Sequence, residues 1–595
     1  MTSWPTRFRA ATLLTTSLVA TLLSVTVLAT ARADEDAPRD SDDAVDVTSA
    51  GPAQPVAPGD EKQSPLAQPD GVDAPPNDRF RVLAFEPPAP TDFPADGAMP
   101  GTYPQPVSIT NNRLTPAAPC QCPNCQAGRC CDSSCGAKPK TPPQPWKGLF
   151  FNNDFSYKRK PCAPYFCGEE LKEMPLDCLG EESWISFGGE LRFRHMNEDQ
   201  RLRPGGPART TYDLWRWRNY IDARFSESLR VYVEMLDASI FNQDLGPTPI
   251  DLNRWNIQNA FVDLRLAELD SRSVVARIGR QELLYGSQRL VSPLDWANTR
   301  RNFEGFKLFS HGETWDIDAW ATQPVNTATG NGPLSRYDNE RDEGDTSRYF
   351  SGFFAVLHGI ENNVVDLYWL WDRETDFRAT GTDYSRHTTG VRWLHNRPVK
   401  NQCCEVTRVW HTELEGGYQF GHDNGETVRA GFFTAGLGHT WKKVAWTPSC
   451  WLFYDWASGD RDPTDNENNT FYQLFPLGHK YLGLIDNVAR QNISDINLRL
   501  VTKPTKKLTL TGGMHWMDLE NENDFVYNIV GAPLGTPGVG DKIGEECDIV
   551  ANYQFNPNFG VQLGYFYFWY GSAVNNSALQ RPDASQVYVQ STLRY

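Results

Sequence analysis

The last eleven residues, Ser585 to Tyr595, read SQVYVQSTLRY. Val587, Val589, Leu593 and the terminal Tyr595 share one face, broken only by Ser591, while Tyr588, Gln590, Thr592 and Arg594 share the other. Side chains alternate across a strand, so this is a strand with one apolar and one polar side. Beyond the first thirty residues no stretch approaches the roughly 18 to 20 consecutive apolar residues that a membrane helix needs. A chain that is 39% hydrophobic and 12% aromatic can still cross a bilayer if only every second residue of its strands faces lipid. A secreted all-β protein with an aromatic core has the same composition.

Short alternating segments recur from Trp184 onward. Strands are expected at 184–195, 213–225, 229–238, 256–266, 274–281, 303–310, 314–323, 348–358, 364–373, 385–395, 408–420, 426–439, 446–457, 490–501, 507–517, 546–555, 559–569 and 585–595. The linkers fall into two sets. Tight turns at 226–228, 312–313, 361–363, 503–506 and 556–558 alternate with long polar insertions at 196–212, 239–255, 324–347, 374–384, 458–489, 518–545 and 570–584. Short periplasmic turns and long external loops give this asymmetry in transmembrane barrels. Two connections break it: 422–425 is short where an external loop is due, and 396–407, with Cys403 and Cys404, is long on the other side. An amphipathic last strand ending in an aromatic also resembles the assembly signal of bacterial outer-membrane barrels. The expected fold is all-β: an 18-stranded antiparallel transmembrane barrel over 184–595, in the outer membrane.

The N-terminal third differs. Arg7 and Arg9 precede an apolar run from Ala10 to Leu28, and Ala31-Arg32-Ala33 supplies small residues for cleavage, so residues 1–33 read as a signal peptide. The leader carries three basic and no acidic residues. The mature chain therefore holds 54 Lys and Arg against 74 Asp and Glu, a net charge of −20, which disfavours a nucleic-acid partner. Residues 34–119, rich in Pro, Asp and Ala, read as a disordered spacer. Nine of the 13 cysteines follow: Cys120, Cys122, Cys125, Cys130, Cys131, Cys135, Cys162, Cys167 and Cys178. In an exported chain the segment 120–183 reads as a disulfide-stapled module. Thiolate zinc ligation is the alternative, although residues 120–178 contain no His.

Charge on a lipid-facing position near the midplane costs about 2–4 kcal/mol for Arg or Lys, so the charged rows of the strands must face inward. These rows include Arg192 and Arg194 of the first strand and Arg216 and Arg218 of the second. Arg277, Arg280, Arg289, Arg300 and Arg301 add to them. Arginine binds carboxylates bidentately and keeps its charge, so a string of them suits a moving polyanion or small anions. The same arginines can instead pair structurally with Glu190, Asp222, Glu234, Asp263, Glu282, Glu304, Asp316 and Asp318. Asp460, Asp462, Asp465 and Asn466 are dense enough in hard oxygens to hold calcium, but their spacing is not an EF-hand and they read as a solvated loop. No metal site is assigned. No Ser/His or Asp/His nucleophile motif accompanies the ten His, and no phosphate-cradling glycine loop is present, so neither an enzyme nor a cofactor is expected.

The runs Arg277-Ile278-Gly279-Arg280-Gln281-Glu282-Leu283, Tyr285-Gly286, Arg289-Leu290-Val291 and Trp296–Gly305 (WANTRRNFEG) resemble the alginate export family of outer-membrane proteins. Tyr454–Asp460 (YDWASGD), Phe471, Phe475-Pro476 and Tyr481-Leu482-Gly483 resemble a later signature of the same family. The resemblance covers about 184–595. It implies an 18-stranded barrel with an Arg-rich lumen that passes an acidic polysaccharide outward under loop gating. It also implies Arg277, Arg280, Arg289, Arg300 and Arg301 near the constriction, and a connection 282–302 that folds inward. The Cys-rich extension is not part of that pattern. The expected function is passage of an anionic, alginate-like polysaccharide. The alternatives are a general or anion-selective porin, or a barrel-anchored envelope protein whose extension meets a periplasmic or cell-wall partner.

Overall fold

The computed structural model describes residues 145–155, 168–176, 178–180, 183–202, 209–269, 272–326, 342–376 and 382–595, all within one compact unit. The expected signal peptide and spacer and most of the cysteine cluster lie outside these residues. Among the described residues no helix is long and apolar enough to cross a membrane.

Eighteen strands build the barrel. They are β1 (Trp184–Asp199), β2 (Thr210–Arg224), β3 (Leu229–Phe241), β4 (Asn253–Leu269), β5 (Arg272–Gln281), β6 (Phe303–His311), β7 (Trp315–Asn326), β8 (Arg348–Leu357) and β9 (Asn363–Asp376) in the first half. The second half comprises β10 (Thr382–Lys400), β11 (Val406–Asp423), β12 (Glu426–Trp441), β13 (Ser449–Ala457), β14 (Ile493–Thr502), β15 (Leu508–Asp518), β16 (Lys542–Asn556), β17 (Phe559–Tyr570) and β18 (Ala584–Arg594). Each pairs antiparallel with its neighbours in sequence, and β18 closes on β1 in the register Leu191↔Leu593. Closure removes the exposed edges that an open sheet would leave unpaired in lipid.

Every strand expected from alternation is present, mostly extended by a few residues. The largest shift is between β10 and β11. They run to Lys400 and from Val406, so the expected long link at 396–407 shrinks to residues 401–405. Both strands continue as a paired ribbon beyond the apolar band, a stretch in which no hydrophobic alternation marks the strand. All long connections lie at one end, and both ends of the barrel chain lie at the other, which is therefore periplasmic.

The burial pattern follows the pleat. On β18, Val587, Val589 and Leu593 face outward while Gln586, Tyr588, Gln590, Thr592 and Arg594 are buried inside. On β2, Trp215, Trp217 and Ile221 face lipid, against Arg216, Arg218 and Tyr220 within. Tyr595 folds over the outer face of the closing seam, where its hydroxyl accepts from Trp217 Nε1 at 3.0 Å and bonds Asn219. Gly189 makes room for it. A Cβ there would lie 2.7 Å from the Tyr595 hydroxyl and clash with the Arg218 carbonyl.

Residues before β1 belong to the same body. Met174–Pro175 pairs with Ile185 and Trp184, and Lys172 Nζ donates to the Tyr595 carbonyl at 3.0 Å. Cys178 forms no disulfide, and its turn is exposed at this rim.

Candidate functional site: the lumen and its inward loops

Two external connections fold into the barrel instead of standing above it. The β5–β6 connection, residues 282–302, runs beside the β13–β14 connection, residues 458–492. They are joined by backbone bonds: Ser292 N to Phe475 O at 2.9 Å, Phe475 N to Leu290 O at 2.9 Å and Leu477 N to Gln288 O at 2.8 Å. Side chains reinforce the crossing. Tyr481 donates its hydroxyl to Ser287 O at 2.6 Å. Trp296 Nε1 donates to Asp486 at 2.8 Å, and its ring stacks on His479 at 4.1 Å. A buried cluster that includes Leu290, Val291, Phe303, Phe350, Phe475 and Leu482 fills the space between them.

Several inward-loop residues hold left-handed backbone: Gln288 (φ 68°), Leu294 (φ 73°), Leu474 (φ 59°) and Asp486 (φ 61°). Such conformations cost of order 1–3 kcal/mol each for bulky residues. They persist only where surrounding contacts enforce them.

The nine arginines singled out from the sequence are all buried, from 0% exposed for Arg216 to 9% for Arg301. The structure gives them two kinds of partner. Arg192, Arg194 and Arg216 grip the backbone of the 282–302 loop. Arg194 Nη1 donates to Trp296 O at 2.9 Å, with its guanidinium 3.5 Å above the Trp296 ring. Arg216 Nη1 donates to Asp295 O at 2.9 Å and Ala297 O at 3.2 Å, and Arg192 Nη2 reaches Trp296 O at 3.3 Å. Arg301, on the loop itself, closes back on Ser292 O at 2.9 Å.

The others stand in ion pairs, as Arg216 also does with Glu190 and Asp295. Arg218 meets Glu234 at 2.6 Å, Arg277 meets Asp263 at 2.7 Å, and Arg280 donates through Nε to Glu304 at 2.8 Å. Arg289 sits 2.6 Å from both Glu413 and Glu415, with its guanidinium 4.1 Å from the Tyr481 ring. Arg300 contacts Glu282 and Asp295. Glu190, which bonds Arg216 at 2.7 Å, also accepts from Arg594 at 3.1 Å. The expected ladder of Arg and acid thus exists, and it coexists with a set of arginines committed to loop carbonyls.

Sequence reasoning did not foresee residues 145–155, which lie inside the periplasmic half of the barrel. Phe150 and Phe151 are buried against Tyr220, Tyr232 and Phe261. The aromatic run Trp146 to Phe151 within a polar, Cys-rich stretch was the available signal. His479 and Asp486 were also missed, since their role depends on where a long loop folds.

Among the described residues no group of three His, Cys, Asp or Glu could hold a metal ion. In the 458–492 connection, Asp462 caps its own turn through Thr464 N at 3.1 Å, and Asp460 N donates to Asp524 at 2.9 Å.

A closed 18-stranded barrel with a charged interior and loops folded into it is an outer-membrane channel. A family model described as alginate export matches residues 183–587, and the chain belongs to that family. No curated protein matches it. Among solved structures it is similar to the outer membrane protein OprD from Pseudomonas aeruginosa, at 12% identity over 69% of this chain and 93% of that one, TM-score 0.45. It is also similar to OccD3 (OpdP) of the same organism, at 13% over 72% and 98%, TM-score 0.45. Acinetobacter baumannii OccAB1 is similar at 13% over 72% and 99%, TM-score 0.48.

Proposed function

We propose that the channel passes an acidic polysaccharide of the polyuronate type across the outer membrane, its carboxylates handed along the lumenal arginines. The observation that carries this reading is the partnership of Arg192 and Arg194 with the backbone carbonyls of residues 295–297. A carbonyl neutralises no charge. When the 282–302 loop withdraws, these guanidiniums keep their charge and lose acceptors that carboxylates replace with stronger, bidentate bonds. An arginine held between two acids, as Arg289 is between Glu413 and Glu415, offers less to a passing anion. The loop then acts as a gate whose latch is the transport path itself.

Oligouronate block of single-channel current tests this. Arg192→Gln with Arg194→Gln is expected to weaken block by about tenfold or more, since each removes a charge-assisted bond of roughly 1.5–3 kcal/mol. It should also move the reversal potential toward cations. Unchanged block would remove these arginines from the path.

A further inference from the structure

Residues 145–155 form a closed knob. Asp154 N donates to Pro145 O at 3.0 Å, so the segment enters and leaves at one level, and Asn152 N to Leu149 O at 2.9 Å tightens its tip. Lys147 N donates to Asn153 Oδ1 at 2.8 Å across the base. The tip is Phe150-Phe151, 2% and 6% exposed.

Its seat is made by adjacent strands β2 to β5. Tyr220, Tyr232 and Phe261 form a stacked ladder, with centroids 5.8 Å and 5.2 Å apart at 21° and 19°. Phe151 meets Tyr232 and Phe261 edge-on at 5.7 Å and 5.2 Å, and Phe150 lies 5.7 Å from Tyr220. Arginines flank the ladder, three of them also paired with wall acids (Arg218 with Glu234, Arg277 with Asp263, Arg230 with Asp222), and the knob takes their remaining faces and donors. Arg218 lies 3.9 Å from the Phe150 ring and Arg277 lies 4.4 Å from the Phe151 ring. Arg230 donates to Phe151 O at 2.6 Å and Arg300 to Gly148 O at 3.2 Å. Beneath, the Lys172 ammonium stands 5.5 Å from each of the Trp146, Phe155 and Tyr220 rings, a cation–π cage that ties the knob to the rim.

A ladder of ring faces between guanidiniums is the chemistry for an acidic sugar chain: pyranose rings lie on aromatic faces while carboxylates meet the forks of arginine. We propose that this periplasmic chamber is the loading site of the polysaccharide and that residues 145–155 are a plug seated in it in cis. The lumen is then narrowed at two levels, by the inward loops above and by the knob below. The loading-site half of the inference rests on the proposed function; the plug half does not.

The test compares the full chain with its Phe150→Ser/Phe151→Ser variant in planar bilayers. Both positions lie outside the matched family region, and heat-modifiable migration checks that the barrel has folded. Single Phe150→Ser serves if the double variant does not assemble. Conductance should rise several-fold, and a synthetic peptide of residues 145–155 added on the periplasmic side should restore closure where its double-Ser counterpart does not. A hexauronate added on that side should block the variant, and a neutral hexasaccharide should not. Equal conductance of wild type and folded variant overturns the plug. Raised conductance with equal response to both sugars overturns the loading site and counts against the polyuronate reading, while the plug stands.

Discussion

Arg216 is fully buried yet faces a lumen, and its partners are Glu190, Asp295 and two loop carbonyls. Removing one member of such a buried set leaves the others unpaired, which typically costs about 3–5 kcal/mol. Arg216→Ala is therefore expected to lower the temperature at which the folded barrel converts to the unfolded form in gel migration. It should also raise the frequency of open bursts, because the same side chain holds the 282–302 loop. At the seam, Gly189→Leu would displace Tyr595, whose hydroxyl occupies that space. The variant should assemble poorly, read as a reduced folded fraction. The inward placement of the strand arginines was legible in the sequence from the cost of placing charge in lipid. Its partners were not, because acids such as Glu413 and Glu415 pair with Arg289 across 124 and 126 residues.

At the level of elements, β5 and β6 pair Gly279 with Gly305, both with positive φ, 128° and 151°. A Cβ at Gly305 would sit 2.8 Å from Thr322 Cα, and one at Gly279 would clash with the Ala260 carbonyl. This glycine pair sits just below the inward loop, where the chain leaves the wall. Gly279→Ala should cost about 1–3 kcal/mol in backbone strain, measured by the same thermal shift, and should alter gating more than a substitution on the lipid face such as Leu452→Ala. All eighteen strands were readable because a lipid face and a water face impose a period of two. The inward loops carry no such period. The inward folding of 282–302 was expected only through family resemblance. That of 458–492, read as a solvated external loop, was not expected, and neither was the knob of residues 145–155, outside that resemblance. Its burial depends on Tyr220, Tyr232 and Phe261, which alternation marks as lumenal without saying what covers them.

For the molecule as a whole, a formal net charge of −17 sits oddly with passage of an anion until charge is divided by location. The acidic loop residues Asp460, Asp462 and Asp465 stand at the external end; inside, Arg216 pairs with Glu190 and with Asp295 of the loop, while Arg192 and Arg194 hold loop carbonyls. Lumenal charge, not net charge, governs what the tube admits. The most direct measurement is the reversal potential of single channels of the full chain carrying Phe150→Ser/Phe151→Ser, across a potassium chloride gradient. The account predicts clear anion selectivity that oligouronate on the periplasmic side suppresses. A cation-selective channel indifferent to oligouronate would contradict it.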